Sequence, residues 1–132
     1  MKITKQEIDA ITKLSPEKRY LYFIKRACDW EYIWTLYDNG HILLNEDKDG
    51  NLSIILFPFE EFTSYYLQNI EELKDSFSKR VNVEKFIKET IEKLLSNNVV
   101  NALVFPIPDG FGLSIPLCKL KEDLKQELEN YK

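Results

Sequence analysis

The sequence predicts an α+β fold: an antiparallel or mixed sheet of about five strands packed against helices. Three observations carry this. The stretch from Trp30 to Pro58 sets aromatic and β-branched runs around Asn39-Gly40 and Asp49-Gly50, pairs that rank among the strongest short-range hairpin signals. Helical periodicity brackets that stretch on both sides. A second apolar run, Val99 to Phe105, reads as a central strand buried on both faces. A chain of 132 residues fits one domain, taken as 1–132, and can bury roughly two-thirds of its unfolded surface.

The elements follow in chain order. Thr4-Lys5-Gln6-Glu7 is a capping box, in which Thr4 accepts from a helix-start amide and Glu7 reaches back. Ile8, Ile11 and Leu14 give that short helix one apolar stripe. Ser15-Pro16-Glu17 starts a second helix, with a side-chain cap, a proline at the first position and an early carboxylate. Tyr20, Phe23, Ile24 and Ala27 then bury one face, and the helix should end near Cys28 or Asp29.

A three-stranded meander follows from Trp30. Pro58 stops its third strand, because proline donates nothing to a ladder and restricts the residue before it. Phe59 to about Leu67 reads as a helix, with Phe59, Phe62 and Tyr66 along one side. From Gln68 to Arg80 the chain continues as helix through Ile70 and Leu73, then loosens into a connection. Asn82 caps the next helix, whose period is Val83, Phe86, Ile87, Thr90, Ile91, Leu94 and Leu95; Asn97-Asn98 ends it. Pro106 to Gly112 is a turn and Leu113-Ser114-Ile115 a returning strand. Pro116 opens a last helix, with Leu117, Leu120, Leu124, Leu128 and Tyr131 on one side. That stripe can dock on the sheet or on another chain.

Composition narrows the functional classes. With 44% hydrophobic and 30% charged residues the chain reads as soluble and globular. No apolar run approaches the ~20 residues that span a bilayer, and the N-terminus lacks a signal-peptide stretch, so a cytoplasmic location is expected. The net charge is −4. Strong nucleic-acid binding needs a basic stripe, and the only basic cluster is Lys18, Arg19, Lys25 and Arg26. A basic protein partner fits that balance better. Cys28 and Cys118 read as free, largely buried thiols. No ligand spacing suggests zinc, and no cofactor is expected.

Chemistry-bearing motifs are weak. Asn45 to Gly50 imitates the start of a calcium loop, but the closing bidentate Glu would fall on Leu56; an acidic hairpin turn explains it better. His41, the only histidine, would form a thiol–imidazole couple if paired with Cys28 or Cys118, though neither cysteine lies in a nucleophile motif. Gly110-Phe111-Gly112 is a turn rather than a phosphate loop, because a strand follows it. Glu60-Glu61 and Glu71-Glu72 are adjacent on helices and point apart, unlike glycosidase pairs. The aromatics Trp30, Tyr32, Trp34 and Tyr37 have two readings. They form core, or Trp30 and Trp34 anchor a partner inside a rim of Asp38, His41, Glu46, Asp47 and Asp49.

The landmark order resembles the bacterial DUF2750 family of small proteins of unknown function. The resemblance runs from about Ser15 to Leu128. It rests on Ser15-Pro16-Glu17-Lys18-Arg19-Tyr20, Phe23 and Trp30, and on Trp34-Thr35-Leu36-Tyr37 and Phe57-Pro58. Phe86-Ile87 and Val104-Phe105-Pro106 before a glycine turn complete it. Members more often carry tryptophan where this chain has Phe57, and a small residue where Phe62 and Thr63 stand. The resemblance brings no catalytic residue or cofactor. The layout is also similar to SseB-like and other small α+β proteins near bacterial toxin systems, several of which are immunity proteins; that is an analogy of fold alone. The expected function is therefore non-enzymatic protein binding, immunity-like, against a basic toxin or effector. The alternative is a small-molecule or regulatory ligand-binding module, which a deep apolar pocket would favour. Oligomeric state is left open.

Overall fold

A computed structural model of the chain describes residues 3–68, 76–108 and 112–131. Its sheet is mixed and has seven strands: β1 (Tyr32–Asp38), β2 (His41–Ile42), β3 (Leu44–Glu46), β4 (Leu52–Phe57), β5 (Phe77–Asn82), β6 (Asn101–Val104) and β7 (Leu113–Pro116). The helices are α1 (Lys5–Thr12), α2 (Pro16–Trp30), α3 (Glu60–Gln68), a composite α4 and α5 (Leu117–Leu128). Helix α4 joins Val83–Lys85, a π-helical turn Phe86–Thr90 and Ile91–Ser96. Among the described residues no helix is long and apolar enough to cross a membrane.

The sheet runs β5-β1-β4-β6-β7, with β2 and β3 set between β1 and β4. On one edge β1 pairs with β5 along its length; on the other it meets β4 at Trp34 opposite Phe57, and β2 at Tyr37 opposite Ile42. The expected meander forms, with its middle strand broken at Leu43, whose amide donates to the Leu36 carbonyl at 2.8 Å. Among the described strands only the β4–β6 pair is parallel.

Helix starts follow the side-chain caps. Ser15 accepts from the Lys18 amide at 3.3 Å, and Asn82 from Glu84 and Lys85 at 2.9 and 3.2 Å. Thr4 accepts from the Glu7 amide at 3.1 Å. The Glu7 carboxylate does not complete the box: it accepts from the Tyr22 hydroxyl at 2.7 Å and pairs with Arg26 at 3.4 Å, tying α1 to α2.

Five expectations are corrected. Trp30 is the last residue of α2, because Glu31 takes a left-handed conformation at φ 70° and closes the helix there. Phe105, at φ 55°, likewise ends β6 one residue early. Central β6 is covered fully on one face only, since Asn101 and Leu103 are half-buried. The stretch before Asn82 holds the edge strand β5, where a connection was expected; Ile70, Leu73 and Glu71-Glu72 lie outside the described residues. Cys28 is buried but Cys118 is exposed.

Alternation sends Ile33, Thr35, Ile54 and Leu56 toward α4, and Trp34 and Phe57 toward α3, where Phe57 meets Tyr66 at 5.3 Å. Rings pack together beneath α3. Phe62 lies 4.5 Å from Phe105 and 5.6 Å from Phe59, all three buried. Arg19 is buried beneath this cluster; its Nε donates to the Phe105 carbonyl at 3.1 Å and its Nη1 to that of Leu14. Gly112 passes close by, and a Cβ there would come within 2.7 Å of the Val104 carbonyl oxygen. The leucine stripe of α5 is spent within the chain: Leu117, Leu120 and Leu124 are buried, and Tyr20 of α2 donates to Asp123 at 2.5 Å.

Candidate functional site

Between the sheet and α4 lies a cavity of about 350 Å³, within the range of small-molecule sites. Its floor is Ile33 and Thr35 of β1 with Ile54 and Leu56 of β4, all buried. Tyr37, Ile42 and Val81 form the sheet-side walls, and Phe86, Thr90 and Leu94 the helix side. Lys85, Lys93 and Asn97, all exposed, stand at the mouth. The polarity therefore grades from aliphatic floor to cationic rim.

Local backbone geometry helps to make this space. The amide of Ile91 donates to the carbonyl of Phe86, five residues back, so the turn holds one residue more than an α-turn. Such π-turns widen a helix and recur at functional sites. At the floor, the Thr35 hydroxyl donates to the Ile55 carbonyl at 2.7 Å, so this buried polar group is satisfied.

A second hollow, of about 250 Å³, lies on the opposite face between Trp30, Tyr32, Trp34, Phe59, Glu60, Glu61 and Arg80. Trp30 and Trp34 are half-buried there, neither pure core nor free anchors. The chain's own cations cover part of their surroundings. The Arg80 guanidinium sits 4.2 Å over the Tyr32 ring, and Arg26 lies 5.7 Å over Trp30 and 5.6 Å over Phe59.

The expected acidic rim does not gather around these tryptophans. Trp34 pairs with Phe57 at one end of β4, whereas the turn with Asp47 and Asp49 precedes Leu52 at the other, about 17 Å away at strand spacing. Glu46 sits beside that turn, opposite Leu52, and Asp38 pairs with exposed His41 at the far end of β1. The carboxylates at the hollow are Glu60 and Glu61 of α3. Asp47 builds a hairpin turn: its Oδ1 accepts from the Asp49 and Asn51 amides, both at 2.9 Å. The Asn51 bond leads in holding its carboxyl below the ordinary value. Leu56, where a calcium loop would close, is buried in mid-sheet.

The thiol–imidazole couple finds no support in the topology. His41 belongs to β2 beside β1, while Cys118 follows edge strand β7, with β4 and β6 between β1 and β7. Burial pushes the Cys28 thiol up to about 12, leaving it protonated and unreactive at neutral pH. Among the described residues no group of three or more His, Cys, Asp or Glu stands ready for a metal ion. Asp109, Gly110 and Phe111 lie outside the described residues.

The cleft floor escaped sequence reading as a site because Ile33, Ile54 and Leu56 look like core. Thr90 alone carried a hint, as a hydroxyl within the apolar period of α4. A family model described as a protein of unknown function, DUF2750, matches residues 20–124. No curated protein matches the chain. The chain belongs to the DUF2750 family.

Proposed function

We propose that this DUF2750 protein is a non-enzymatic binding domain, and that the cleft beneath α4 takes a small molecule with an apolar body. The observation that carries this reading is the cavity of about 350 Å³ with a buried aliphatic floor and a π-turn in its wall. A void lined by apolar side chains costs stability, and filling it is open to simple substitutions such as Thr90 to leucine. Native mass spectrometry of the purified protein tests the reading. A small molecule should be retained by the wild type and lost from Thr90→Leu. A wild type that retains nothing, and is not stabilised thermally by any of a panel of short-chain amphiphiles, would contradict it.

A second reading is immunity-like binding of a basic protein, in the bacterial cytoplasm. It is favoured by Trp30 and Trp34, half-buried beside Glu60 and Glu61, where a cationic side chain could lie against a ring. Capture from the native bacterium at low and moderate salt should then retain one basic partner that Trp34→Ala releases. Equal capture by wild type and Trp34→Ala would remove this hollow from the account.

A further inference from the structure

The charged side chains that line the cleft are of one sign. The chain carries more acidic than basic residues, 22 against 18, yet among the described residues the cleft is lined by Lys85 and Lys93 and by no carboxylate. A third cation stands close by. Lys79 pairs with Thr35 across β1 and β5, which places it on the cleft's face of the sheet, and its ammonium lies 4.8 Å over the ring of cleft-lining Tyr37. Lys85 and Lys93 are eight positions apart on α4, about 12 Å along a helix, so they flank the opening rather than crowd one point. Their flexible stems can turn toward a group lying between them near Thr90.

From this arrangement we infer that the ligand is a small amphipathic anion, its apolar body on Ile33, Ile54 and Leu56 and its negative group at the lysine-flanked mouth. The inference rests on the reading of the cleft as the ligand site and adds the sign of the ligand's charge. Apolar contact supplies the non-directional part of the binding, and the lysines decide which head group is accepted. A cationic head would meet like charges on entering, and a neutral one would gain nothing at the rim.

The test is a calorimetric titration of wild type with octanoate, octanol and octyltrimethylammonium, which share a tail and differ in head. Octanoate should bind about two- to fivefold more tightly than octanol, the scale of a partly exposed ion pair, and the ammonium compound should not bind measurably. Raising the salt concentration should narrow the preference, because exposed charges are screened. The double variant Lys85→Gln/Lys93→Gln, changed only at exposed positions, should abolish the preference while still binding octanol. Thr90→Leu should weaken both octanoate and octanol. Octanol binding as tightly as octanoate, with both weakened by Thr90→Leu, would overturn the charge assignment and leave the cleft reading standing. No binding of any of the three, or binding indifferent to Thr90→Leu, would overturn both.

Discussion

Trp34 and Thr35 are neighbours in β1, yet they face differently finished sides of one sheet. Trp34 looks toward α3, where Phe57, Phe59, Phe62 and Phe105 interlock at centroid distances of 4.5 to 6.3 Å. Thr35 looks toward α4, across a cavity of about 350 Å³. The contrast shows where side-chain volume was spent. Buried rings interlock beneath α3, with the hollow of about 250 Å³ at Trp30 and Trp34 beside them, whereas Thr35, Thr90 and aliphatic residues leave the α4 side short of material, and the π-turn holds the helix wide. Open apolar space costs stability, so the α4 side is where a ligand would restore lost contacts.

The largest expected effect lies on the α3 side. Phe62→Ala should destabilise the protein by about 3–5 kcal/mol in urea denaturation, because it removes a buried ring from a closed cluster. A loss under about 1 kcal/mol would mean that the rings do not interlock and the contrast is false. Next is Gly112→Ala, near the same cluster. Its Cβ would press on the backbone of Val104 and Pro106, and about 1–3 kcal/mol of destabilisation is expected.

On the open side the sign should reverse. Thr90→Leu adds apolar volume facing a cavity, and should leave stability unchanged or raise it by up to about 1 kcal/mol. A loss as large as that of Phe62→Ala would show that the cleft has no room to spare. Thiol access gives a finer check outside both faces: iodoacetamide at neutral pH should label exposed Cys118 at once, and buried Cys28 only after unfolding. Early double labelling would show that the α2–α5 packing opens readily.

The smallest effect belongs to the Asp47 turn, which neither face uses. Its folded carboxyl titrates below the ordinary 3.8 because backbone amides bond the charged form. Its stabilising contribution is therefore complete above that unfolded value, and is lost as pH falls through the lower folded one. The stability difference between wild type and Asp47→Asn should be present at pH 6 and fade below about pH 4. A difference that persisted unchanged at low pH would mean that the amide bonds do not depend on the carboxylate's charge.

Much of the architecture was legible where side chains act locally. Thr4, Ser15 and Asn82 cap helices, Pro58 and Pro116 mark boundaries, and Asn39-Gly40 and Asp49-Gly50 turn the meander. What escaped was decided at a distance. Glu31 and Phe105 adopt left-handed backbone without the glycine that usually announces it, so α2 ran longer and β6 shorter than their patterns implied. Strand β5 carries Lys79 and Arg80 in mid-run, the charged character of an edge strand, which reads as a connection until β1 is seen to pair with it. The grouping of the expected site residues was also decided at a distance. Nearness in sequence put Asp47 and Asp49 with Trp34, whereas the register of β4 sets them at opposite ends. The cleft depends on residues from β1, β4, β5 and α4 meeting at once, and no local pattern encodes that meeting.

The most direct measurement is a methyl- and indole-resolved NMR titration with octanoate, which reads both faces in one experiment. The account predicts shifts at the methyls of Ile33, Ile54, Leu56 and Thr90 while the indole signals of Trp30 and Trp34 stay in place. Shifts confined to those two indoles, with the cleft methyls unmoved, would contradict it and make the aromatic hollow the binding face.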